Sequence, residues 1–268
     1  TACRIIKRDL TDLIPNDMEH FNSIYIEDDW NEAIYGQLLE ECWSESILVE
    51  KVQLRKMGAI QSTEARQGRK VRLKFIFKRW IASFNVLLPN ENTYFFISTY
   101  LPAKIEVSLQ MRLGQFPRLW KTQPVSIVTP IQRERKWELG KCKARLNSFD
   151  KVVRQMIPLH IPTAYLEGYK VLTERVESLP WPSRPKAIFT SNAYSADDLF
   201  KAWAAKNTEL EVPLIIGQHG GNFGMTPFAF HEEHQIEIAD KWLSWGWSDP
   251  SRPKILPVGK FKDSGRIV

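Results

Sequence analysis

Four short apolar runs, each followed by a polar loop, set the strongest limit on how this chain can fold. They lie in "KAIFTSN" (186–192), "VPLIIGQHGG" (212–221), "KWLSWGW" (241–247) and "KILPVG" (254–259). Between the first two, "SADDLFKAWAAKN" (195–207) carries apolar residues at helical spacing. Ser195 stands as its N-cap. Asp197 and Asp198 occupy the first turn, where negative charge suits the helix dipole. Apolar runs alternating with helices predict βαβ units, a mostly parallel sheet and helices on its faces.

The first half repeats the rhythm less cleanly. "DDWNEAIYGQLLEECWSES" (28–46) reads as an amphipathic helix. The stretch to about Leu88 fits a strand by alternation or a long helix, and we read it as helix. "TYFFISTYLP" (93–102) is a strand stopped by Pro102, "AKIEVSLQMRLG" a helix stopped by Gly114, and "VSIVTP" (125–130) another strand. Residues 137–179 read as helical, broken at Pro158 and Pro162, and "PWPSRP" (180–185) marks a boundary. Three parts follow: 1–136, a helical bridge at 137–182, and 183–268.

Composition excludes several classes. Of 268 residues, 43% are hydrophobic and 25% charged, ordinary for a soluble globular protein. Cys3, Cys42 and Cys142 are far apart with no CxxC, which argues against a disulfide framework and for a reducing cytoplasm. No apolar stretch approaches a membrane span, and no signal peptide is visible. Thr1 stands where a start Met would, and the chain stops soon after a strand pattern, so we expect a fragment truncated at both ends. The net charge of +6 is concentrated in "RQGRKVRLKFIFKR" (66–79), with seven Lys or Arg. Such a patch suits anionic head groups or a phosphorylated substrate, or it is a solvated face. No nucleic-acid motif accompanies it, so nucleic acid is not an expected partner.

The chemistry concentrates at "LIIGQHGGNFGM" (214–225). Gly217, Gly220, Gly221 and Gly224 allow a sharp turn or close approach to a ligand. Gln218 and His219 follow the strand's carboxyl end, where open α/β sheets bind ligands. Ser191 and Asn192 occupy the neighbouring loop and suit an anion. His231, Glu232, Glu233 and His234 form "HEEH", which is not the HExxH zinc signature, so no metal site is expected. A phosphate-binding or proton-transfer site, or a plain surface, remains. Trp245 and Trp247 would share one side of a regular strand and either wall a base or sugar or fill the core. There is no GxGxxG, GxxxxGK[ST] or GxSxG, which removes the usual support for dehydrogenase, P-loop and α/β-hydrolase readings.

The blocks "IFTSN", "IIGQHGGNFG", "EEHQIEIADKWLSWGW" and "ILPVG", with "DDWNEAIYGQLLEE", "STYLP" followed by Glu and "GQFP", and "IPTAYLEGY", occur in an informative order. From about residue 28 to 259 the chain resembles the leptospiral-type O-antigen transferases of surface-carbohydrate biosynthesis. The resemblance implies a glycosyltransferase of the GT-B type, with two Rossmann-like lobes, distantly similar to the bacterial β-Kdo transferases that use CMP-linked sugars. It makes 1–136 the acceptor lobe and 183–268 the donor lobe. Gln218, His219, Gly220 and Gly221 would face the donor phosphate without metal or other cofactor, with Gly224, Ser191, Asn192, His234 and Trp247 around the substrate. His219 would stabilise the leaving phosphate, and Asp198 or Glu233 would serve as catalytic carboxylate. The family pattern expects Glu after His234, where this chain has Gln235. The implied partners are a nucleotide-sugar donor and a glycan or lipid-linked acceptor, at the cytoplasmic face of the inner membrane. A phosphotransferase acting on polyol phosphates, or a non-catalytic nucleotide- or carbohydrate-binding module, fits the same loops.

Overall fold

The computed structural model describes residues 4–6, 13–43, 48–50, 92–122, 127–131, 135, 137–140, 147–220, 223–227 and 229–261. The basic stretch 66–79, the pattern running to Leu88, and Gly221 lie outside them. The chain divides into two compact units, Thr1–Glu64 with Pro124–Glu174, and Ala65–Gln123 with Arg175–Val268.

In the first unit, β1 (Arg4–Ile6) pairs in parallel with β2 (Leu48–Glu50). Three helices stand out: α1 (Met18–Ile24), α2 (Asp28–Trp43) and α4 (Ser148–His160). Asp17 caps α1 by accepting the His20 N–H at 2.8 Å. Its other carboxylate oxygen takes the Ile127 N–H at 3.1 Å. That bond occupies the amide a strand would need, and 127–130 are irregular rather than the expected strand. Arg135 is buried and holds Glu167 through two nitrogens, at 2.9 and 2.6 Å. It also donates to the Leu159 and Ile161 carbonyls at the end of α4. The helix runs through Pro158 and ends at His160, with Ile161 as its C-cap just before Pro162, so only the second expected break is real. Pro158 is tolerated because it falls in the last turn, where only one ladder bond is lost.

The second unit is built on a five-stranded, wholly parallel sheet in the order β3 (Tyr94–Ile97), β4 (Ala187–Thr190), β5 (Leu214–Gly217), β6 (Lys241–Ser244), β7 (Ile255–Pro257). β3, expected in a lobe ending at residue 136, is an edge of the sheet formed by residues from 187 onward. Its run "YFFI" is apolar enough to be buried on both faces, as parallel strands require.

Register places Phe95, Ile188 and Leu214 on one face, with Ile97, Ile216, Trp242 and Ile255. On this face Phe95 sits 4.4 Å from the ring of Trp203 and 5.2 Å from that of Trp181. Trp203 belongs to α7 (Asp198–Thr208). Phe95 and Trp242 are wholly buried, and truncating such rings to Ala typically costs roughly 3–5 kcal/mol. Phe96, Phe189, Ile215 and Leu243 form the opposite face with Phe261 and Leu109 of α3 (Ala103–Arg112).

The remaining helices are α5 (Tyr169–Glu177), α6 (Ala193–Ala196) and α8 (Phe230–Ile238). The cap expected at Ser195 belongs elsewhere. Thr190 Oγ accepts the Ala193 N–H and starts the short α6, and Asp197 then leaves helical geometry and caps α7 by accepting the Phe200 N–H at 2.9 Å.

Candidate functional site

Because all five strands are parallel, their following loops gather on one edge of the sheet: 98–101, 191–192, 218–220, 245–247 and 258–261. That edge is where α/β sheets place ligands. Ser98 and Tyr100 turn there with φ of 48° and 60°, an uncommon backbone for residues with a side chain.

Ser191 is fully buried and ties two loops together. Its Oγ donates to the Thr99 carbonyl at 3.0 Å, and its N–H to the Ser98 carbonyl at the same distance. Asn192 is half-buried at the start of α6, and its side chain makes no capping bond. Gln218 is buried, and its Oε1 accepts the Trp245 N–H at 2.8 Å and the Trp247 indole N–H at 3.2 Å. In the structure Gln218 fixes the 245–247 loop through its side-chain oxygen.

The strand ends at Ser244, so Trp245 and Trp247 are loop residues, separated by Gly246 at φ 110°. Each covers a glycine. A Cβ on Gly220 would lie 3.0 Å from Trp245, and one on Gly224 would lie 2.8 Å from Trp247. A Cβ on Gly217 would collide with Phe261 and with Ser191 Oγ. These three glycines answer first to packing. Lys260 Nζ stands 5.8 Å from the centre of the Trp245 ring, within cation–π reach.

His219 is half-buried, its ring 5.2 Å from Tyr100 in an edge-on arrangement and 6.5 Å from Phe223. His234 is exposed on α8, with its ring 6.0 Å from Tyr194. Tyr194 is buried and accepts a hydrogen bond from Gln235. Burial pushes its hydroxyl up to about 12, opposed by that hydrogen bond and reinforced by Tyr100. Burial also raises the Tyr100 hydroxyl.

The carboxylates divide sharply. Glu233 is exposed and paired to Arg252 at 3.0 and 3.2 Å, which makes it a surface ion pair. Its neighbour Glu232 turns inward, is buried, and accepts the Gly224 N–H at 2.5 Å. Asp198 is buried in the first turn of α7, with Lys201 Nζ at 3.5 Å. Glu106, on α3, is also buried and accepts the Thr99 hydroxyl at 2.6 Å. Burial raises its carboxyl, and the Thr99 bond partly offsets the shift. Among the described residues no three His, Cys, Asp or Glu side chains are placed to hold a metal ion.

A family model described as "LIC12162 family transferase" matches residues 1–267. The chain belongs to this family. Searches of curated proteins and of solved structures find no match. The strand-end loops offer imidazole, phenol and indole side chains, and the helices that follow three of them carry buried carboxylates at Glu106, Asp198 and Glu232. Of the residues expected from sequence, the structure clusters Ser191, Asn192, Gln218, His219, Gly220, Gly224 and Trp247 on this edge and places His234 against Tyr194. It sends Glu233 to the surface. Tyr100, Tyr194, Glu106 and Glu232 take no individual role from the sequence. Tyr100 and Glu106 fall in the block "STYLP" and the Glu that follows it, and Glu232 falls in "HEEH", but nothing in those blocks sets them apart, and Glu232 differs from Glu233 only by the phase of α8. Among the described residues no helix is long and apolar enough to cross a membrane.

Proposed function

We propose that the chain is a glycosyltransferase of surface-polysaccharide assembly. It moves a sugar from a nucleotide-activated donor, of the CMP-linked kind, to a glycan or lipid-linked acceptor. The carrying observation is the position of His219 beside Tyr100 at the carboxyl ends of a parallel sheet, in a chain of a transferase family. A cationic imidazole there would stabilise the leaving phosphate as charge develops, without a metal. Asp198 is the carboxylate we assign to the acceptor hydroxyl. Both carboxylates are ion-paired, and Glu233 is the weaker candidate because it is exposed on the surface while Asp198 is buried.

In this reading the two units are the lobes of a GT-B enzyme. The second, with the sheet, takes the donor, and the first takes the acceptor. An apolar cavity of about 430 Å³ in the first unit, lined by Phe21, Trp30, Leu38, Met156 and Ile157 among others, supports an acceptor with a lipid portion. The enzyme would then work at the cytoplasmic face of the inner membrane, in peripheral contact with it.

The test is protection by CMP, UDP and GDP in a thermal melt, followed by product analysis. At least one nucleotide should raise the melting temperature. His219→Ala should abolish transfer while lowering stability by only about 1 kcal/mol, the scale of one edge-on aromatic contact. No response to any nucleotide would remove the glycosyl-transfer reading. A phosphorylated polyol as product would replace it with phosphotransfer.

A further inference from the structure

Gln235 decides which way a buried phenol donates. The Trp242 indole N–H can only donate, and it lies 3.0 Å from Gln235 Oε1. The Gln235 amide is therefore oriented with its oxygen toward Trp242 and its nitrogen toward Tyr194. The nitrogen donates to the Tyr194 oxygen, which leaves the Tyr194 proton to be given elsewhere. Among the described residues no acceptor takes it. All three side chains are at least nine-tenths buried, so the arrangement is enforced by packing rather than sampled by a mobile surface group. A buried hydroxyl proton without an acceptor costs free energy unless a ligand supplies one.

The surroundings say what that ligand offers. Tyr194 follows Ser191 and Asn192 on the strand-end edge, with His234 beside its ring and Tyr100 close enough to couple electrostatically. Tyr100 in turn touches His219. The nearby carboxylates have other bonds. Asp197 caps α7 through Oδ1, with its buried Oδ2 making no bond to Tyr194, Asp198 meets Lys201, and Glu232 takes the Gly224 amide. A phenol directed to donate, among imidazoles that can also donate, fits an acceptor-rich group. We propose that Tyr194 binds substrate by donating its hydroxyl proton to a phosphate oxygen of the nucleotide-activated donor, with Gln235 and Trp242 as positioning residues. The proposal rests on the reading of this edge as a nucleotide-sugar site. Burial also keeps the phenol protonated, and so a donor, across the neutral range.

The experiment titrates CMP, UDP and GDP, and the matching nucleosides, into wild type, Tyr194→Phe and Gln235→Glu. Each variant should bind the responsive nucleotide about 10- to 100-fold more weakly, the range for one hydrogen bond to a charged group. Affinity for the nucleoside should be nearly unchanged, a split that a folding defect would not produce. Gln235→Glu keeps the phenol but supplies a carboxylate that accepts from both Trp242 and Tyr194, turning the proton inward. Equal losses for nucleoside and nucleotide, or unchanged nucleotide affinity in Tyr194→Phe, would overturn the proposal while leaving the site reading intact. Failure of wild type to bind any nucleotide would remove the site reading itself, and the proposal with it.

Discussion

Gly224 has a backbone φ of 74° and the Trp247 indole against its α-carbon. Either fact alone disfavours a side chain there. Gly224→Ala should lose about 1–3 kcal/mol of stability, from the left-handed backbone and the displaced ring together, and should shift the tryptophan emission as Trp247 moves. Gly140→Ala is the control. Gly140 has an ordinary φ and open space where a Cβ would go, so a change within about 0.5 kcal/mol is expected. In the sequence, Gly217, Gly220 and Gly224 read as a ligand loop. The loop is where the reading put it, but the reason for the glycines was not legible. It depends on Phe261, Trp245 and Trp247, which only folding brings near. The same limit explains the carboxylates. Glu232 and Glu233 are adjacent in sequence, and only the phase of α8 sends one inward to Gly224 and the other out to Arg252.

At the scale of elements, α4 carries a pH dependence of its own. His160, in its last turn, is lowered to about 4 by burial first and the Arg135 charge second. Its Nε2 lies 2.8 Å from Gln37 Oε1 on α2. A histidine whose folded-state value is depressed binds its proton more readily when unfolded. Stability is therefore whole above about pH 6.5 and is lost as pH falls toward about 4. His160→Gln should remove that component. Urea unfolding followed by circular dichroism across this range should give a flatter profile than wild type, and equal slopes would mean the ring is solvated. The elements themselves were largely legible. The apolar, β-branched or aromatic runs at 94–97, 187–190, 214–217, 241–244 and 255–257 are all strands. The expected strand at 125–130 fails over its described part because Asp17, more than a hundred residues away, takes the Ile127 amide. Ser195 loses the cap to Asp197 because Thr190 starts a separate turn of helix first. Both errors come from side chains competing for backbone amides, which periodicity does not register.

For the whole molecule, the division into two units suggests separable tasks. If the second unit takes the donor, hydrogen exchange with nucleotide alone should slow at 98–100, 191–194, 218–220 and 245–247. The helices α1 and α2 should respond only when a lipid-like acceptor is added. Protection appearing first in α1 and α2 would exchange the two roles. The strand order adds a further consequence. β3 to β7 lie side by side in the order in which they occur in the chain, without a reversal. Neighbouring parallel strands are about 4.8 Å apart, so five loop origins span roughly 19 Å in sequence order. The edge is thus collinear with the gene. A molecule stretched along it would meet residue 98 at one end and residue 258 at the other. Exchanging a single loop between relatives should then alter recognition of one segment of that molecule and leave its neighbours as they were.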